Sequence, residues 1–188
     1  MTQANAEITA STFFPALGAW YGTTQATSIR RQLDKDSRSI SFHNLLTAIA
    51  ANPDVMTRAR HVALWKGGDE TDELAKELWD REANENFDRF AGAGNDVISP
   101  DRTEADVAAL WAIAEPVVIF VNKAVAHTDE DARDSVSTYG ELHRAIDALG
   151  DLLNKYSSLL TATIIGELVP VHQEDWRHAF RVAWLRDA

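Results

Sequence analysis

Apolar residues return every three or four positions along most of this chain, the period of a helix and not of a strand. Phe13, Leu17, Trp20, Tyr21, Ala26, Ile29 and Leu33 predict a first helix, with Pro15 tolerated in its opening turn. Asp34 to Ser39 reads as a polar turn. Ser41 then caps a short helix through Phe42, Leu45, Leu46 and Ile49, which Asn52-Pro53 stops. A third helix is expected from Val55 through Ala59, Val62 and Trp65 to Gly67-Gly68. Thr71-Asp72-Glu73 opens a charged amphipathic helix carrying Leu74, Leu78, Phe87 and Phe90, with acids at its positive end and Gly92 and Gly94 past its close.

Ser99-Pro100 combines an N-cap with proline at the first helical position. The helix it opens is apolar on every face from Trp111 to Val125, which predicts the central helix of a bundle, kinked at Pro116 where the ring removes one hydrogen bond. Thr138-x-x-Glu141 is a capping box for a long last helix carrying Leu142, Ile146, Leu149, Leu153, Tyr156, Leu160 and Ile164, closed by Gly166. Beyond it, Trp176, Phe180 and Trp184 fall four apart on one face; such a stripe docks on its own bundle or forms a subunit interface. No alternating run bounded by hairpin turns occurs, so the expectation is an all-α bundle of about five to seven helices with a kinked central helix and a long last one.

Composition narrows the setting. With 188 residues, of which 45% are hydrophobic, the chain suits a single domain. There is no cysteine, so disulfides and Cys-based zinc sites are excluded and a reducing, cytoplasmic compartment is expected. Met1 to Ala10 lacks the basic and apolar regions of a signal peptide, and Val107 to Val121 is too short and too interrupted to span a bilayer, so no membrane partner is expected. A net charge of -11 repels phosphate on average, and any contact with RNA or nucleotide has to be local. Arg30, Arg31, Lys35 and Arg38, and then Arg58, Arg60 and Lys66, are either solvated faces balanced by acids or phosphate-binding patches.

The common catalytic signatures are absent: no GxxxxGK[ST], no GxGxxG, no HExxH and no GxSxG. The histidines at 43, 61, 127, 143, 172 and 178 show no ligand spacing on one helix, and neither metal nor cofactor is expected. His143, near the start of the last helix, faces either core or solvent. One segment stands apart, Asn122-Lys123-Ala124-Val125-Ala126-His127-Thr128-Asp129, where polar groups follow the most apolar helix. At a helix C-terminus the carbonyl end of the dipole favours a protonated imidazole and a nearby cation, so His127 suits acid–base work. Lys123 and His127, four apart, also suit the plainer role of satisfying terminal carbonyls.

Asn-Lys-x-x-x-His-x-Asp after an apolar helix resembles the signature of the HEPN superfamily, small helical bundles of prokaryotic toxin and phage-defence systems and of some RNA-processing proteins. Upstream, Arg31-Gln32-Leu33-Asp34, Ser37-Arg38-Ser39-Ile40-Ser41 and Leu45-Leu46 resemble the first block of its abortive-infection, AbiU-like branch. The two blocks imply one HEPN-like domain over 1–188, with a flexible N-terminus at 1–11 and an aromatic tail at 167–188. Active members are metal-independent endoribonucleases that pair their motifs across a two-fold axis; their motif is an arginine, a polar residue and, several positions on, a histidine. The resemblance therefore implies Asn122, Lys123 and His127 as site residues, a homodimer, an RNA substrate and, in a toxin–antitoxin setting, an antitoxin protein as partner, in a bacterial cell.

The motif arginine is replaced by Val121. Valine offers no hydrogen bond to an oxyanion, and loss of one such donor typically costs on the order of 100- to 1000-fold in rate. Lys123 lacks the planar fork and points elsewhere on the helix. Two functions follow: a weak or partner-completed endoribonuclease, for which the retained Asn122 and His127 speak, and a non-catalytic interaction or scaffolding module, for which Val121 speaks.

Overall fold

The computed structural model describes residues 12–66, 72–125, 137–166 and 178. The expected N-terminal extension, the Gly67-Gly68 stop and the aromatic tail lie outside these residues, as does His127. Among the described residues there are six α-helices and no strand; the nearest thing to a sheet is an isolated bridge between Thr57 and Val97. The all-α expectation holds.

Helix α1, Phe13–Gln32, buries Ala26 and Ile29, with Leu33 following them into the core, while Phe13, Leu17, Trp20 and Tyr21 stay exposed. The polar turn after it is a built corner. Ser39 Oγ donates to Asp34 Oδ2 at 2.7 Å, Ser41 Oγ donates to the Asp34 carbonyl at 2.7 Å, and Asn44 Nδ2 donates to the carbonyls of Asp36 and Ser39. The same Ser41 oxygen accepts from Asn44 N, capping α2, Phe42–Ala51. Asp34-to-Ser41, half of the first family-like block, is therefore the joint that turns α1 into α2. Its carboxyls are correspondingly perturbed: the Ser39 hydroxyl holds Asp34, and the Arg38 guanidinium holds Asp36, below the ordinary range.

The third helix starts later than expected. Pro53–Val55 forms a tight 3-10 turn, Met56 is extended, and α3, Arg58–Trp65, begins only after Thr57, whose side chain accepts from Arg60 N. The delay has a cause: the chain is held by cross-chain bonds, Ile98 N to Pro53 O and Arg58 N to Asp96 O, which a helix starting at Val55 would forfeit. Arg58 then reaches Asp88 at 2.6 Å and the carbonyls of Asn84 and Asn95, tying α4, Glu73–Ala91, to the loop behind it. Helix α4 is capped by Asp72 and ends at Gly92, whose φ of 86° suits glycine. Phe87 and Phe90 are buried in it, but Leu74 and Leu78 are not, so only its second half docks.

Helix α5, Pro100–Phe120, is capped by Ser99, whose hydroxyl accepts from Arg102 N, and it passes through Pro116 without ending. It packs against α1, α2, α4 and the last helix, α6, Tyr139–Thr161, as a central helix should. Its apolar surface is nevertheless not covered all round, for Ile113 and Ile119 remain exposed. A partly buried cluster sets its register against α6: Asp106 Oδ2 accepts from Lys155 Nζ at 2.5 Å and from Tyr156 Oη at 2.8 Å. Burial pushes the Tyr156 hydroxyl well above its ordinary pKa, so it remains a donor. The capping box at Thr138 and Glu141 forms as expected. The far end of α6 does not run to Gly166: Ala162 takes the left-handed conformation, and the Asn154 side chain grips both N–H and carbonyl of Gly166, folding the chain back and leaving Ile164 outside the helix.

His61 is fully buried on α3, and its Nδ1 lies 3.0 Å from the Leu159 carbonyl. A carbonyl only accepts, so Nδ1 carries the proton and a second proton would fall on Nε2, which is buried, meets no full hydrogen-bond geometry and has only the Asn86 side chain to favour it. Burial accordingly holds His61 below its ordinary value of 6.5. A depressed folded pKa means stability that is present above 6.5 and lost as pH falls through the folded value. The urea midpoint is expected to drop between about pH 7 and 5, well above the range in which Asp34, Asp36 and Glu141 titrate, and the drop should shrink in His61→Gln. A midpoint flat over that interval would contradict the buried neutral ring.

Candidate functional site

The motif region begins where α5 stops being an α-helix. Val121 to Val125 widens into a π turn, a form found mostly as single turns and frequently at functional sites. The turn packs on α1 and continues the central helix. Within it the residues part company: Val121 is 3% exposed and belongs to the core, whereas Asn122 and Lys123 face solvent. The third expected site residue, His127, and the neighbouring Thr128 and Asp129 lie outside the described residues.

Asn122 has a partner that sequence reasoning left in a general basic patch. Arg30, from the last turn of α1, donates from Nε to Asn122 Oδ1 at 3.2 Å across 92 positions of sequence. Among the described residues the Arg30 side chain forms no ion pair and no other hydrogen bond, so both Nη groups keep their donors. Asp34 feels its charge, but that carboxylate is already held by Ser39 and by the Asp36 amide. Most other basic residues of the two patches take structural roles. Arg38 pairs with Asp36, Arg58 clamps α4, Arg60 donates to the Val55 carbonyl, and Lys66 pairs with Asp80. The signal for Arg30 was there in its place on a basic helix end; the pairing was not, since nothing local joins residue 30 to residue 122.

Two hollows flank these elements. One, of about 240 Å³, lies between α1, the end of α5 and the start of α6, with Gly22, Ala26, Phe120 and Tyr139 in its wall. Tyr139 Oη closes its edge by donating to the Gly18 carbonyl at 2.7 Å, and a side chain larger than glycine at position 18 would collide with that oxygen. The other, of about 540 Å³, lies between α2 and α5. There Trp111 Nε1 donates to His43 Nδ1 at 3.3 Å and the Lys35 ammonium sits 4.1 Å from the Trp111 ring centre. Burial, then the Lys35 charge, keeps His43 below its ordinary value, in keeping with a ring nitrogen that accepts. His143 faces solvent beside Tyr21 and Tyr139. No group of three or more potential metal ligands occurs among the described residues, and none of their helices is long and apolar enough to cross a membrane.

A family model described as AbiU2, of the HEPN type, matches residues 9–179 of the chain. No curated protein and no solved structure matches it.

The burial of Val121 removes the simplest repair of the motif. An arginine there would put an unpaired guanidinium into the apolar core that holds Val117 and Val118, or drag the turn out of it. Val121→Arg is expected to lose about 3–5 kcal/mol, the scale of an uncompensated buried charge, against about 1–3 kcal/mol for Val121→Ala. Urea unfolding of the two variants decides it; a Val121→Arg protein as stable as wild type would place position 121 at the surface.

Proposed function

The chain belongs to the HEPN AbiU2 family, and on that premise we propose that this abortive-infection-related, HEPN-like protein cleaves single-stranded RNA slowly, without metal, as a homodimer. The observation that carries the proposal is the polar turn itself. The central helix of the bundle ends by exposing Asn122 and Lys123, the residues that precede His127 in the family's motif. In the reaction, the 2′-oxygen attacks the neighbouring phosphorus and the bond to the 5′-oxygen breaks. The 2′-hydroxyl gives up its proton and the departing 5′-oxygen gains one, so atoms balance without a co-reactant. We assign one of these transfers to His127. The exposed apolar side of α1, with Phe13, Leu17, Trp20 and Tyr21, supports a paired molecule, and a toxin–antitoxin setting would add an antitoxin protein as partner.

A second reading is favoured by the buried Val121, which leaves the motif without its arginine: a non-catalytic subunit that keeps the fold as an interaction or scaffolding module.

Purified protein incubated with labelled single-stranded RNA in EDTA separates the two. The expected outcome is slow cleavage that His127→Ala abolishes with thermal stability nearly unchanged, from a species of dimer mass in light scattering. If His127 only satisfies helix carbonyls, the substitution should instead cost about 1 kcal/mol, the scale of a hydrogen bond, and leave any cleavage as it was. A folded wild type inert toward varied RNAs would leave the interaction module standing.

A further inference from the structure

We infer that Arg30 supplies, from the first helix, the phosphate-binding guanidinium that position 121 lacks, and that Asn122 aims it. The inference rests on the RNA-directed reading above for its substrate, a phosphodiester, but its geometry stands without it. Three observations carry it. Position 121 is turned into the core at 3% exposure, so the side chain that follows the central helix into its π turn cannot present a charge to solvent. Arg30 reaches the next residue of the turn, at 3.2 Å, through Nε alone. Its Nη pair is left over, the edge of the fork that grips two oxygens of a phosphate at once.

The surroundings favour an anion at that edge. Asn122 presents Oδ1 to Arg30, so the amide contributes no charge that would neutralise it, and Lys123 stands exposed on the same turn. Arg31 adds a further cation in the same last turn of α1. Asp34, the carboxylate whose titration Arg30 influences, has its oxygens engaged by Ser39 and the Asp36 amide and does not bond the guanidinium. Holding Nε fixes the plane of the fork before the phosphate arrives, which lowers the ordering cost of binding. Asn122 is thereby a positioning residue and Arg30 the group that touches the ligand.

The test uses the whole chain in two arms. In the first, side-chain NMR follows the arginine Nε–H signals during titration with inorganic phosphate at low salt. The Arg30 signal is expected to shift saturably in wild type and in Arg81→Ala, to be missing in Arg30→Lys, and in Asn122→Ala to shift only at several-fold higher phosphate. In the second arm, RNA cleavage is measured for the same variants, each checked for native circular dichroism. Arg30→Ala should slow cleavage on the order of 100- to 1000-fold, the scale of a lost oxyanion donor, and Arg30→Lys should recover part of it. A shifting Arg30 in an enzyme that cuts nothing would uphold the phosphate site and sink the nuclease reading. Cleavage unchanged in Arg30→Ala would sink the inference and leave the nuclease reading intact. An Arg30 signal indifferent to phosphate would overturn the inference whatever the RNA arm returned.

Discussion

One carboxylate oxygen fixes the position of the central helix. Asp106 Oδ2 receives both the Lys155 ammonium and the Tyr156 hydroxyl, so α5 and α6 are pinned at a particular register by two directional bonds. The apolar contacts around them, Leu110, Ala114 and Val117 against Leu142, Ala145 and Leu149, are non-directional and would tolerate some sliding. Since α5 also borders α1, α2 and α4, whatever fixes it against α6 fixes the rest of the bundle. The π turn, being the continuation of α5, inherits its place from this pin, and so does the meeting of Asn122 with Arg30.

The site is assembled from two kinds of constraint. Along the chain, successive residues leave a helical axis in different directions, so Val121 enters the core while its neighbour Asn122 faces solvent. Across the chain, the latched corner from Asp34 to Ser41 ends α1 one turn beyond Arg30 and sends α2 back along α5. The residues of the first family-like block are thus explained as architecture: they hold the helix end that carries Arg30.

The parts of this fold legible in the sequence are those settled within a turn or two. Ser41, Asp72, Ser99 and Thr138 cap helices where their spacing to the next amides says they should. What escaped was decided at a distance. Val55 fell outside α3 because Pro53 and Arg58 were engaged by the loop at residues 96–98, and α6 stopped at Thr161 because Asn154 drew Gly166 back. Leu74 and Leu78 fit a helical stripe, but a stripe shows which residues share a face and not whether that face meets anything, and an all-round apolar helix likewise leaves Ile113 and Ile119 exposed. The candidate site divides in the same way. Asn122 and Lys123 were legible as a motif, whereas Arg30 could be chosen from among its basic neighbours only once the two helices were in place.

The core position of Val121 also bears on the history open to this chain. A valine buried in one core with Val117 and Val118 is part of what keeps the bundle folded, so a change to arginine crosses an unstable intermediate unless a second change makes room first. A single-step change at 121 is thereby disfavoured while drift elsewhere stays open. Substitutions that recast the surface around this turn would more readily arise outside the core, along α1 and the rim of the π turn, than at 121.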